Sequence, residues 1–310
     1  MTLQQLQYVV ALDNFRHFVK AAESCFVAQP TLTLQVKKLE EEVGITIFDR
    51  SAQPVVPTPL GREFIMQARE ILRGVESLKG MINTEKEQLD GTYTLGIIPT
   101  LAPYLLPRFI KKFCDEHPGV NLEVKEMQSI RIIETLKSNQ LNIGIMATPL
   151  DESSIREIPL FYEPFLVYAC EGHTILQKEK VEPADIVEEG LWLLNEGHCF
   201  RNQVLNICNK AGKSPARTGL SFESGSIETI KNMVRSDMGY SLIPELSFNE
   251  RLDKDLVRRF NEPQLTREVS IVVHKSFTKE VLLNHLHRSI TDSIPARFKK
   301  NKRFITVKWR

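Results

Sequence analysis

No apolar run in the 310 residues approaches the ~18 needed to cross a bilayer. The N-terminus lacks the basic n-region of a secretory signal, and its short apolar stretch from Tyr8 to Leu12 ends at Asp13. Neither a signal peptide nor a membrane span is expected, whereas a cytoplasmic location is. Cysteine is scarce. Cys25, Cys114, Cys170, Cys199 and Cys208 are too few and too scattered for a disulfide framework, and none has the CxxC spacing of a structural zinc site. Any disulfide would be conditional, and so a candidate signal. The HExxH, GxSxG, P-loop and Rossmann glycine signatures are missing. His285 and His287 stand two apart on an expected helix and diverge. No metal, cofactor or enzymatic activity is expected. An excess of one charge is lacking too: the net charge is +1. Residues 1–60 set Arg16, Lys20, Lys37, Lys38 and Arg50 against Asp13, Glu23, Glu40, Glu41, Glu42 and Asp49, so any case for nucleic acid must come from placement.

The residues present suit a soluble chain of two or three domains with a core of normal size, at 42% hydrophobic and 25% charged. Leu3, Leu6, Val9 and Val10 have helical spacing, and a second helix is expected from Phe18 to Cys25. After a turn, Gln29-Pro30 starts a third helix, with Leu32, Val36, Leu39 and Val43 facing inward and Gly44 ending it. This is a helix-turn-helix pattern whose third helix has a polar outer face. Gln35 suits the N6/N7 edge of adenine. Gln29, Thr31 and Thr33 can meet phosphates or bases, and Lys37 and Lys38 phosphates. Ile47 to Pro57 reads as a small wing, with Arg50 placed for the DNA backbone or minor groove. Thr58-Pro59 then starts a long helix with apolar residues at Leu60, Phe64, Ala68, Ile71, Val75, Leu78 and Ile82, near heptad spacing. A single stripe on a long helix buries itself against a twin, so a dimerisation and linker helix is expected.

Beyond Gly91, strands and helices alternate. Tyr93–Ile98, Val120–Glu126 and Leu141–Met146 read as strands, with helices from Pro103 to Glu116 and from a Ser129 cap to Ser138. A second series has strands at Phe165–Ala169, Leu191–Leu194, Leu220–Phe222 and Tyr240–Ile243, with helices after His198 and from Ser226. A strand at Glu268–His274 and a helix at Lys279–Ser293 return to the first series. Two such series predict two α/β subdomains flanking a cleft, with ligands outside strand C-termini, which Thr100, Ser129 and Cys199 follow or border. Cys114, on a helix with Phe109, Ile110 and Phe113, is expected in the core; Cys25 falls inside the helical bundle and Cys170 at a strand end. The acid-free C-terminus (Arg297, Lys299, Lys300, Lys302, Arg303, Lys308, Arg310) reads as a solvated tail, with DNA phosphates or oligomer contacts as alternatives.

The string AAESCFVAQPTLTLQVKKLEEEVGITIFDR at 21–50 resembles the helix-turn-helix signature of LysR-type transcription regulators. Ala21-Ala22, Gln29-Pro30, Gln35, Leu39-Glu40, Gly44, Phe48 and Arg50 carry the match; Ala28 stands where serine is usual. The resemblance covers essentially the whole chain. It implies an all-α winged helix-turn-helix domain at 1–58 and a linker helix at 59–90. An α/β effector region follows, of two Rossmann-like, periplasmic-binding-protein-like subdomains at 91–161 with 267–310 and at 162–266. The implied partners are double-stranded promoter DNA, RNA polymerase and further copies of the chain in a homodimer or homotetramer.

Within the family, GIIPTLAPYLLP at 96–107, NEGHCFRNQVLNIC at 195–208 and SIETIKNMV at 226–234 resemble its peroxide-sensing branch. That resemblance implies hydrogen peroxide as the signal, Cys199 as the peroxidatic and Cys208 as the resolving cysteine, and Thr100, Ser129 and His198 as the peroxide pocket. Ser129 stands where threonine is expected and keeps the hydroxyl without the methyl. The chemistry is consistent. A thiolate attacks the O–O bond, a helix N-terminus favours thiolate, His198 and Arg201 are near enough in sequence to add positive charge, and hydroxyls can bind neutral peroxide. Two other readings remain at this stage: a regulator answering a metabolite in the subdomain cleft, and a thiol peroxidase.

Overall fold

A computed structural model of the chain describes residues 1–83, 89–187, 189–208, 223–236, 239–299 and 303–309. The strand expected at 220–222, and Lys300, Lys302 and Arg310 of the basic tail, lie outside them. The chain divides into two units, 1–87 and 88–310.

The first unit is helical. Helix α1 (Leu3–Phe15) starts on a capping box, in which Gln5 N–H donates to Thr2 Oγ1 at 3.2 Å and Thr2 N–H to Gln5 Oε1 at 2.8 Å. Helix α2 (Phe18–Ser24) and helix α3 (Gln29–Val43) follow, the latter closed by Gly44 at φ 72°. Leu6, Val9, Leu12, Ala21, Leu32, Val36, Leu39, Ile47 and Phe48 form the core. Strands β1 (Phe48–Asp49) and β2 (Val56–Pro57) make the wing. Helix α4 (Pro59–Asn83) is capped by Thr58, whose Oγ1 accepts from Gly61 N–H at 2.9 Å. Gly61 has no room for a side chain, since a Cβ would lie 2.0 Å from the Ile47 carbonyl oxygen. The α4 stripe divides in two: Ala68, with Ile65, is buried in the bundle, whereas Leu60, Ile71 and Leu78 are exposed.

The second unit is α/β. Strand β3 (Gly91–Ile97), helix α5 (Ala102–Glu116), strand β4 (Val120–Glu126), helix α6 (Ser129–Lys137) and strand β5 (Ile143–Thr148) build a parallel β4-β3-β5 ladder. Strand β6 (Ile155–Ala169) comes next. It is followed by β7 (Lys180–Val181), β8 (Leu191–Trp192), helix α7 (Cys199–Ile207), helix α8 (Ile227–Arg235), β9 (Tyr240–Pro244), a short α9 (Glu250–Asp253), β10 (Val257–Phe260), β11 (Gln264–His274), helix α10 (Glu280–Ser293) and β12 (Phe304–Thr306).

The sequence reading placed a strand only over 165–169; the structure has one strand of 15 residues from Ile155. Its first part pairs with β11, and its last five residues pair with β9 and β10. It therefore links two cores, one around Leu95, Ile97, Phe109, Ile145 and Val272, the other around Val167, Tyr168, Val204, Ile230 and Leu242. β11 also pairs with β5, so the late strand returns to the first half of the sheet; α10 lies with α5, where the His117 and His285 rings meet edge-on at 4.6 Å. The described part of the tail is not a solvated extension, since β12 pairs with β11 and Trp309 is 4% exposed. Among the described residues no helix is long and apolar enough to cross a membrane.

Candidate thiol site and DNA-facing helix

The thiol site is built where helices α6 and α7 begin and strand β3 has ended. The loop after β8 reaches Gly197 at φ 90°, a left-handed conformation that a side chain would strain; a Cβ there would also lie 2.7 Å from Gln128 Oε1. His198 is then the N-cap of α7 and Cys199 its first residue. Cys199 is 2% exposed and packs in the first core, whereas Phe200, Val204 and Ile207 of the same helix pack in the second. Ser129 is the first residue of α6. The expected cap is instead Gln128, which takes the extended backbone of that position. The Ser129 hydroxyl is thus free of a capping role. It is buried and has no hydrogen-bond partner among the described residues. Thr100 follows β3 and is 1% exposed.

The cation at this site is one that sequence reasoning missed. Arg267 of β11 is 1% exposed. It donates to Thr100 Oγ1 at 2.8 Å and to the Thr100 carbonyl at 3.1 Å, and pairs with the buried Glu163 of β6 at 2.7 Å. Its guanidinium lies 5.2 Å from the centre of the Phe200 ring. The available signal was a charged pair, Arg267-Glu268, directly before the mostly apolar run from Val269 to Val273. Burial pushes the Cys199 thiol above its ordinary pKa; the Ser129 hydroxyl, the Arg267 charge and the backbone N–H groups of Ala147 and Phe200 oppose this. Burial disfavours the charged form of His198 and lowers its pKa, which works against the expected positive charge. Arg201 donates to the Leu194 carbonyl at 2.9 Å. His198 instead lines a cleft of about 470 Å³ with Tyr104, Gln128, Asn195, Ser226 and Glu228.

Cys208 caps the other end of α7 and is half-buried. None of the five cysteines is in a disulfide. Cys170 is buried and Cys25 half-buried, but Cys114 is exposed, contrary to expectation. It falls on the outer side of α5, whose inward face is filled by Leu105, Phe109 and Phe113.

On helix α3, Gln29, Thr31, Lys37 and Lys38 are exposed. Thr33 donates its hydroxyl to the Gln29 carbonyl at 2.9 Å, which fixes it to its own helix. Gln35 is half-buried and accepts from Gln5 Nε2 at 3.2 Å. Lys37 lies 3.6 Å from Glu41. Arg50 is held at 2.7 Å by Glu40, which also accepts from the N–H groups of Ile47 and Phe48. Arg50 therefore braces the wing against α3. Residues 3–62 match the bacterial regulatory helix-turn-helix protein family of the lysR type, and residues 86–294 match the LysR substrate binding domain. The chain belongs to the LysR family. It is a DNA-binding transcriptional regulator and not an enzyme, which removes the thiol peroxidase reading.

The chain is 37% identical over 255 residues to the DNA-binding transcriptional dual regulator OxyR of Escherichia coli K12, covering 82% of this chain and 83% of that protein. It is 36% identical to the hydrogen peroxide-inducible genes activator of Haemophilus influenzae, over 80% and 81% of the two chains. A full-length OxyR variant from Pseudomonas aeruginosa shares the fold at TM-score 0.81 and 34% identity, covering 95% of this chain and 99% of that one. The OxyR of Porphyromonas gingivalis does so at TM-score 0.63 and 30% identity, over 70% and 99%. The LysR architecture of a helix-turn-helix domain followed by a two-subdomain α/β region is thus the fold of this chain.

Proposed function

We propose that this LysR-family protein is a peroxide-sensing regulator switched by oxidation of Cys199 and a Cys199–Cys208 disulfide. One observation carries the reading: a buried thiol at a helix N-terminus is accompanied by a buried hydroxyl without a hydrogen-bond partner, Ser129, and by a buried guanidinium that donates to Thr100 and Glu163. Thiolate sulfur attacks one peroxide oxygen, the O–O bond breaks, and Cys199 becomes a sulfenic acid as hydroxide leaves and takes up a proton to give water. The sulfur supplies the two electrons. Thr100 accepts from Arg267, so its own O–H proton is available to peroxide or the leaving hydroxide, and Ser129 holds the thiolate. His198, next to Cys199 in sequence, lines the cleft with Gln128 and Asn195. The Cys208 thiol then attacks the sulfenic sulfur; the S–O bond breaks, water leaves, and the disulfide forms.

An intact α7 holds the two Cα atoms ~13 Å apart, whereas a disulfide needs roughly 4.4–6.8 Å. Closure therefore unwinds part of the helix and remodels the second subdomain. On this reading α3 reads promoter DNA through Gln29, Thr31, Gln35, Lys37 and Lys38. Helix α4 pairs two chains, the effector regions pair further into a tetramer, and RNA polymerase is the downstream partner. Thiol mass mapping after stoichiometric peroxide, with DNA footprinting of both forms, tests this. A 199–208 linkage and an altered footprint are expected, and both should vanish in Cys199→Ser. The open cleft beside His198 favours one other reading, a metabolite-responsive regulator, in which Cys199→Ser would leave the response intact.

A further inference from the structure

The C-terminal segment bears directly on the helix that must unwind. After β12 pairs with residues 264–266 of β11, Val307 N–H donates to the Thr266 carbonyl at 2.8 Å. The chain then runs along α7. Gln203 Nε2 donates to the Val307 carbonyl at 2.8 Å, and Asn206 Nδ2 to the Lys308 carbonyl at 2.8 Å. Val307 packs against the second core, with Phe200, Val204 and Ile207, while Trp309 is buried in the first core, the one that holds Cys199. Cys199, Gln203 and Asn206 are spaced i, i+4, i+7 and share one face of α7. The segment is thus bonded along the face that begins at the reactive cysteine and anchored at both ends.

We propose that residues 303–309 form a strap that holds α7 helical in the thiol state and sets the rate at which Cys208 reaches oxidised Cys199. Gln203 and Asn206 are its positioning residues and Trp309 its anchor. The inference rests on the cysteine switch proposed above. The Gln203 and Asn206 side chains cannot keep their tail carbonyls while the helix between the cysteines unwinds, so disulfide closure requires the strap to let go. Attack of peroxide on Cys199 does not, because that step leaves α7 intact. The strap therefore governs the second step and not the first.

The test uses the full-length protein with Gln203→Ala/Asn206→Ala and, separately, Trp309→Ala. Sulfenic acid formation is followed by dimedone trapping in a Cys208→Ser background, disulfide formation by mass mapping, and helix opening by hydrogen exchange of residues 200–207 in the reduced protein. The two lost hydrogen bonds should raise α7 exchange and disulfide closure about tenfold, with sulfenic acid formation within about twofold of the parent. Trp309→Ala, if it folds, should act in the same direction. Unchanged α7 exchange in the double variant overturns the strap, as does accelerated exchange with an unaltered closure rate. If the parent forms no 199–208 disulfide, the cysteine switch itself fails, and faster α7 exchange then supports only the strap's hold on the helix.

Discussion

Thr100 and Arg267 are mutually dependent side chains. The guanidinium is buried, and Thr100 Oγ1 accepts one of its N–H groups. Replacing Thr100 with valine keeps the shape but strands that donor, at about 1–3 kcal/mol of stability. Thr100→Val should therefore both slow Cys199 oxidation and lower the unfolding midpoint, while Thr100→Ser keeps the hydroxyl and should stay close to the parent in both; peroxide stopped-flow and thermal melts measure the two effects. Ser129 acts on the thiol itself. Its hydroxyl opposes the upward push of burial on the Cys199 pKa, so Ser129→Ala should move the inflection of the oxidation rate to higher pH. The rate near pH 7 should fall about tenfold, the scale of one hydrogen bond to a charged group. A profile that does not move would remove Ser129 from the site. His198 carries a stability consequence. Its folded pKa lies below the ordinary 6.5 because burial penalises the imidazolium. Its neutral form is therefore favoured by folding, and that stability is present above 6.5 and lost as pH falls. His117 and His173 are lowered for the same first cause. Chemical denaturation from about pH 7 to pH 5 should show declining stability, flattened in part by His198→Gln.

The elements divide into those written locally and those written at a distance. Pro30 and Gly44 mark the ends of α3, and the intervening apolar spacing gives its buried face, so the candidate reading helix was legible. Two hydrogen bonds qualify the roles on it. Gln35 accepts from Gln5 of α1, so Gln35→Ala removes a brace between helices as well as a base contact, and should cost ~1–3 kcal/mol of DNA affinity with relaxed selection at one base pair. Exposed Lys38 has no such second role, so Lys38→Ala should weaken binding to every sequence and flatten its salt dependence. Footprinting on a randomised site separates these outcomes, and Gln35→Ala with unchanged site selection would end the base-reading assignment. Other elements were illegible for physical reasons. Strand β6 carries Glu157, Pro159, Glu163 and Pro164 within its run, which breaks the apolar alternation a strand announces; the charge is tolerated because Glu163 meets Arg267. The site cation was hidden because Arg267 and Thr100 are 167 residues apart, and no local pattern reports a pairing across the sheet. Ser129 was read one position early, since a serine before an apolar run looks like a cap even where Gln128 holds the cap geometry.

At the scale of the whole molecule, the exposed apolar residues of α4 bear on assembly. A helix-turn-helix regulator reads paired half-sites as a dimer, and the first unit leaves Leu60, Ile71 and Leu78 at 52%, 43% and 62% exposure in the single chain. The opposite side of α4 is already committed: Ile65 and Ala68 are buried in the bundle, and Arg69 donates to Asp13 and Asn14 at 2.7 and 2.6 Å. The exposed residues are therefore surplus to the fold of one chain, and a twin helix is the partner that matches them, since the same surface meets itself across a two-fold axis. Ile71 and half-buried Val75 are four apart on one face. Ile71→Glu/Val75→Glu sets like charges against each other across that axis without touching the buried side. Analytical ultracentrifugation should show the helical pair lost, leaving only association through the effector regions. Affinity for a two-half-site operator should drop by about a hundredfold or more as the two reading helices cease to act together, while the unfolding of each unit stays as in the parent. An unaltered assembly in the double variant would mean that α4 does not pair the chains and that its exposed apolar residues face something else.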